Sequence, residues 1–242
     1  GYDIGHPLIG NGLQYLSGKL MHTQQIQGLG IAGEYKHVLS ILVRFLILLC
    51  PAAVLAQAGW TAKHFALQLE PRFEKRTIAG TLELDFTVHD ATLRQLVLDA
   101  GDLTADAITW SGRALAFENA GTQLRIRLPD RLPVGTAQHL RVDYHGAPSS
   151  GLRFDPDTRQ VATAFSTSQW MPCLDDPAVR APFALTLVLP QGMVSVGNGV
   201  ALPTEAIADG LERHRWQLDL PHPSYLYGLA AGDFAQAPVK TP

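Results

Sequence analysis

The sequence predicts an all-β, multi-sheet fold of the sandwich type. Three observations predict it. From Lys63 onward, apolar side chains recur with a period of two in segment after segment, as in strands with one buried and one wet face. Gly, Pro and Asp turns separate these segments at short spacing. No segment in this region keeps a helical period over a dozen residues.

Each element follows from its residues. His64 to Glu70 places Phe65, Leu67 and Leu69 on one face, and Glu70-Pro71 ends it. Ile78 to Val88 places Leu82, Leu84, Phe86 and Val88 opposite Glu83, Asp85 and Thr87. Gln95 to Asp99 is a short apolar strand, and Ala107 to Trp110 precedes a Ser111-Gly112 turn. Strands are predicted at Leu115 to Phe117, at Leu124 to Leu128 and at Leu140 to Tyr144. Phe183 to Leu189 reads as a buried strand, preceded by a loop with three prolines that excludes helix and central strand. Asn198-Gly199 signals a turn. Glu212 to Leu220 sets His214, Trp216, Leu218 and Leu220 on one face, and Pro221-His222-Pro223 breaks it.

The chain has 242 residues, 46% hydrophobic and 17% charged, the balance of a globular protein. A formal charge of −3 and the lack of a basic stripe argue against a nucleic-acid partner. Cys50 and Cys173 are the two cysteines, too few for a disulfide framework or a four-cysteine zinc site.

Four stretches divide the chain. Residues 1–36 form an unassigned leader, with Met21 as an alternative start. Residues 37–58 read as a signal peptide: Lys36, His37 and Arg44 flank an apolar core from Phe45 to Leu55, and Ala56-Gln57-Ala58 is a small-x-small cleavage site. This implies a secreted or periplasmic protein with no stable membrane span in its mature form. The rival reading is a membrane anchor over residues 38–56, which Arg44 and Pro51 interrupt and which barely reaches the roughly 20 residues a bilayer needs. Gly28-Leu-Gly30-Ile-Ala-Gly33 spells a dinucleotide fingerprint but lacks the strand before it and the acid after it. Residues 59–238 form the β domain, and 239–242 begin a linker.

The most informative stretch runs from Gln169 to Phe183. Pro172, Cys173, Asp175, Asp176, Pro177, Arg180, Ala181 and Phe183 match a Phe-Pro-Cys-x-Asp-Glu-Pro-x-x-Lys-Ala-x-Phe run with its spacing intact. Met171, Asp176 and Arg180 depart from it in identity. The stretch resembles the N-terminal domain of zinc aminopeptidases of the aminopeptidase N and leukotriene A-4 hydrolase type. Ile78-Ala-Gly80, Leu98-Asp99, the Leu128 to Gly135 loop, Tyr144-His-Gly146 and the Ser224 to Phe234 segment extend the likeness over residues 60–238. The resemblance implies a saddle-shaped, mostly antiparallel β domain. It implies a non-catalytic role, packing through the motif loop against a catalytic domain of the same polypeptide and walling a peptide-substrate cleft. Zinc and removal of N-terminal residues from peptides belong to the parent enzyme.

The chain itself shows none of that chemistry. A zinc peptidase of this type needs H-E-x-x-H on a helix, and no two of the nine histidines are four apart. The Gly-x-Met-Glu-Asn motif is missing too. The expectation is therefore a fragment or truncated product, inactive alone and without a cofactor of its own. The resemblance also implies a Gln-x-Glu/Gln segment that holds the substrate's amino end, 12 and 10 residues before the motif cysteine. Val161 and Thr163 stand there, and Gln160 is one residue off, so Gln160 is the substrate-binding candidate and amine recognition is altered or lost. Ser195 in Gly192-Met-Val-Ser195-Val-Gly197 does not form a nucleophile elbow and reads as a strand residue. Asp175 and Asp176 read as turn caps, Trp170 and Trp216 as core, and Cys173 as a small buried hydrophobe. A secreted, non-enzymatic β-sandwich binding module is the alternative function.

Overall fold

A computed structural model describes residues 59–235, apart from 131 and 164. The leader, the signal peptide and its rival anchor, the Gly28 to Gly33 run, Cys50 and the linker lie outside the described residues.

Strands dominate the described residues. In chain order they are β1 (Trp60–Arg72), β2 (Thr77–Val88), β3 (Gln95–Asp99), β4 (Leu103–Trp110), β5 (Arg113–Ala114) and β6 (Phe117–Ala120). Then come β7 (Gln123–Arg127), β8 (Ala137–Gly146), β9 (Leu152–Asp155), β10 (Gln160–Thr163) and β11 (Arg180–Pro190). The last are β12 (Val194–Gly197), β13 (Val200–Ala201), β14 (Glu205–Ala206), β15 (Leu211–Pro223) and β16 (Leu229–Gly232). They form three sheets. The large sheet has nine strands in the order β13-β15-β11-β1-β2-β8-β4-β5, with β14 also on β15. A four-stranded sheet runs β12-β16-β10-β9, and a three-stranded one β3-β7-β6. Pairing is antiparallel except between β1 and β11.

The period-two pattern decides which face is buried. On β2, Ile78, Leu82, Leu84, Phe86 and Val88 are buried while Glu83, Asp85 and Thr87 are half-buried on the other face. Phe65, Leu67 and Leu69 of β1 lie beside Phe183, Leu185 and Leu187 of β11, so two apolar rows merge in the middle of the sheet. Leu96 and Leu98 of β3, Leu124 and Ile126 of β7, and Val161 and Ala231 of the four-stranded sheet join the same contiguous core. Both small sheets therefore cover the one apolar face of the large sheet, and its other face stays polar.

Three sequence expectations need correction. Leu115 to Phe117 is not one strand. β5 hairpins back on β4 after Ser111-Gly112, and the chain then crosses to the three-stranded sheet as β6. Leu115 and Ala116 make the crossing, with Leu115 N–H donating to Ile108 O and Ala116 O accepting from Arg127 N–H. The proline-rich loop also ends earlier than expected, because Pro182 lies inside β11, between β1 and β15. A register shift between Ala181 and Phe183 leaves Pro182 out of the ladder, where a missing N–H does no harm. The same shift carries β15 through Pro221-His222-Pro223, with His222 opposite Ala181 and Pro223 opposite Arg180.

Candidate functional site

The motif stretch is a folded corner. A 3-10 turn at Thr167–Gln169 delivers Trp170, Met171 and Cys173 into the core, each fully buried. Cys173 and Asp99 exchange both backbone hydrogen bonds, at 2.8 and 2.9 Å, which stitches the corner to β3. Asp175 N–H donates to the Asp99 carboxylate at 3.0 Å, and Ser168 Oγ donates to Asp175 Oδ2 at 3.1 Å. Asp176 Oδ1 accepts from Ala178 N–H at 2.8 Å, closing the turn around Pro177. Pro172 is buried, Arg180 is exposed, and Ala181 and Phe183 start the buried row of β11.

Two tyrosines lock this corner, one at each end of the motif. Tyr144 of β8 donates its hydroxyl to Trp170 O at 2.7 Å from a fully buried position. Gly80 stands opposite Tyr144 on β2, and any Cβ there would fall 2.3 Å from the phenol ring, so only glycine lets the ring cross the sheet. Tyr227 stacks on Phe183 with ring centroids 4.2 Å apart and donates to Ala181 O at 2.8 Å. Ser224 Oγ donates to Leu174 O at 2.8 Å, and Thr167 Oγ1 donates to Ser224 O at 2.7 Å. Burial pushes the Cys173 thiol well above its ordinary value, and the Asp175 carboxylate adds to the effect. A buried thiol held protonated is a poor nucleophile at neutral pH. The corner brings the motif residues together as structure: its carboxylates and hydroxyls are engaged with the fold, while the buried Trp170 Nε1 is left without a partner.

The amine-recognition positions lie on β10. Val161 is buried and Ala162 exposed, so successive side chains alternate between faces. Thr163 Oγ1 accepts from Leu229 N–H at 2.9 Å and lies 3.3 Å from Leu229 O, so its one polar atom is engaged with β16. Gln160 is half-buried opposite Gly232, whose missing Cβ leaves room for the Gln160 side chain. The adjoining loop is strained: Phe165 and Ser166 both take left-handed φ angles, 57° and 49°. Phe165 is also 75% exposed, and the 3-10 turn (Ser224–Leu226) that packs on Thr167–Gln169 exposes Tyr225 and Leu226.

One polar cluster escaped the sequence reading. Ser195 of β12 and His214 of β15 meet across two sheets at 3.1 Å, with Glu212 on the far side of the imidazole. Nothing in the local spacing pairs residues of strands that share no ladder. Among the described residues, no group of three or more His, Cys, Asp or Glu could hold a metal ion.

The Peptidase M1 N-terminal domain matches residues 61–226. The chain belongs to that family. Leucine aminopeptidase 2 of Pyricularia oryzae is 25% identical over 201 residues, 75% of this chain and 32% of that protein. Leucine aminopeptidase 2 of Neurospora crassa is 26% identical over 201 residues, covering 75% of this chain and 30% of its own length. The M1 zinc metallopeptidase of Deinococcus radiodurans superposes with a TM-score of 0.66 at 23% identity, over 73% of this chain and 42% of that one. A yeast leukotriene A-4 hydrolase does so with a TM-score of 0.62 at 19% identity, over 74% and 30%. This M1 domain thus spans about a third of the length of the curated relatives it matches. The zinc in the Deinococcus protein's name finds no ligand set among the residues described here.

Proposed function

We propose that this M1 N-terminal domain is the non-catalytic front of an aminopeptidase-like zinc peptidase, docking on a catalytic domain of the same polypeptide and walling its substrate cleft. The observation that carries the reading is the motif corner. Its carboxylates, hydroxyls and thiol serve the fold, while Phe165, Tyr225 and Leu226 stay exposed beside it. An apolar rim next to a rigid corner suits a permanent intramolecular contact. Secretion or export to the periplasm is part of the proposal and rests on residues 37–58.

Gln160 is proposed as the residue of this domain nearest to the substrate's amino end. The engagement of Thr163 with β16 and the burial of Val161 support an altered or lost amine contact at the two positions the family uses.

The test is to read the frame past Pro242, express whatever polypeptide it encodes, and assay leucine p-nitroanilide hydrolysis with and without a zinc chelator. The expected result is chelator-sensitive hydrolysis by the longer protein and none by the 242-residue chain supplied with zinc. A frame that ends near Pro242, or chelator-sensitive hydrolysis by the chain alone, refutes the reading.

A further inference from the structure

We propose that Ser195, His214 and Glu212 form a separate nucleophilic site, which becomes acylated at Ser195 Oγ and hydrolyses small esters. Three observations carry it. Ser195 Oγ lies 3.1 Å from His214 Nδ1, and His214 Nε2 lies 3.4 Å from Glu212 Oε2. His214 is 9% exposed, and its Nε2 has no hydrogen-bond partner of good geometry. The group lines a surface cavity of about 420 Å³, walled by Met193, Leu202 and Trp216. Small-molecule sites have volumes of that order.

The electrostatics select one proton arrangement. A lone pair on Nε2 would face the Glu212 carboxylate, so the N–H belongs on Nε2 and the lone pair on Nδ1. Ser195 then donates its hydroxyl proton to Nδ1. Trp216 Nε1 donates to Ser195 Oγ at 3.0 Å, which aims the hydroxyl hydrogen toward the imidazole. Gly192 N–H donates to Glu212 Oε2 at 3.4 Å and helps hold the carboxylate in place. Nucleophile and base are in hydrogen-bond contact and the acid lies at ion-pair distance beyond the base, the order of groups that serine acyl transfer uses.

The step balances without an added reagent. Ser195 Oγ attacks the ester carbonyl carbon and its proton passes to His214 Nδ1. The carbonyl π pair becomes an oxyanion, and the Trp216 N–H, which lies on Ser195 Oγ in the free protein, is assigned as its donor. Collapse breaks the bond to the leaving oxygen, which takes the proton from His214. Water then attacks the acyl carbon, gives a proton to His214, and Ser195 recovers it as the acid leaves. Ser195 and His214 are the catalytic residues, and Glu212 is a positioning residue.

The site is independent of the aminopeptidase reading, so its test leaves that reading untouched. The full chain is incubated with a fluorophosphonate and, separately, with p-nitrophenyl acetate. The expected results are a single adduct, mapped to the peptide containing Ser195, and ester hydrolysis that falls about 100-fold in Ser195→Ala. In Glu212→Gln, kcat falls while KM holds, since the carboxylate acts on the base and not on the ester. A wild-type chain that takes up no label overturns the proposal whatever the variants do. So does an adduct at another residue, or an unchanged rate in Ser195→Ala.

Discussion

Replacing Tyr144 with Phe isolates the contact that ties the large sheet to the motif corner. The ring stays, and only the hydroxyl goes. Trp170 O then loses its 2.7 Å donor in a site that water does not reach. A buried carbonyl left unpartnered costs about 1–3 kcal/mol. At roughly 2–4 °C per kcal/mol for a domain of this size, the melting temperature falls by about 2–12 °C. The alkaline limb gives a second readout. Burial holds the Tyr144 phenol well above its ordinary value, so the folded protein keeps a proton that the unfolded chain surrenders above about pH 10. The stability tied to this group is whole below that pH and is lost as pH rises. Tyr144→Phe removes the dependence, so the gap between wild type and variant narrows in alkali. Thermal melts by circular dichroism at neutral pH and near pH 11 measure both effects. A variant within about 1 °C of wild type at neutral pH, or a gap that widens in alkali, refutes the reasoning.

Three further outcomes follow from the same packing. Cys173, fully buried with its thiol pushed up, resists a thiol-reactive chromogen in native Cys50→Ser protein and reacts fully once denatured; fast native labelling contradicts its burial. Gly199 has φ +87° and its Cβ would fall 2.0 Å from Gln217 O, so Gly199→Ala costs about 3 kcal/mol or more and lowers the denaturation midpoint; an unshifted urea curve contradicts this. Phe165 holds a left-handed φ while 75% exposed, so Phe165→Asn stabilises the isolated chain by about 1 kcal/mol; a lower melting temperature refutes the strain argument.

Much of this fold is legible in the sequence because one face of each main strand is buried. Gln95 to Asp99 is found as written, β1, β2 and β8 need only longer ends, and β7 shifts by one residue, to Gln123–Arg127. The misreadings fall where two elements decide an outcome jointly. Pro182 looks like a strand breaker until β15 supplies a matching register shift. Leu115 to Phe117 alternates like one strand, yet its two ends serve different sheets. The motif corner was legible as a structural signature, and the buried Cys173 and the turn-capping Asp176 follow from residue type and prolines nearby. The hydroxyls that secure it were not, since Tyr144, Ser224 and Tyr227 reach it from distant strands. Ser195 shows the same limit: its strand setting is readable, but its partner lies in another sheet.

The parallel pairing of β1 with β11 has a consequence for synthesis. Phe65 sits beside Phe183, with about 120 residues of chain between them. At roughly 5–20 residues per second, β1 waits on the order of 6–24 s at the ribosome before its second neighbour exists. During that interval, the hairpin of β1 and β2 presents an open edge carrying Phe65, Leu67 and Leu69. Such an edge recruits any strand that passes, so the nascent chain gains from a holdase that covers it. The centre of the sheet, the most protected place in the finished domain, is its most vulnerable place while the domain is being made.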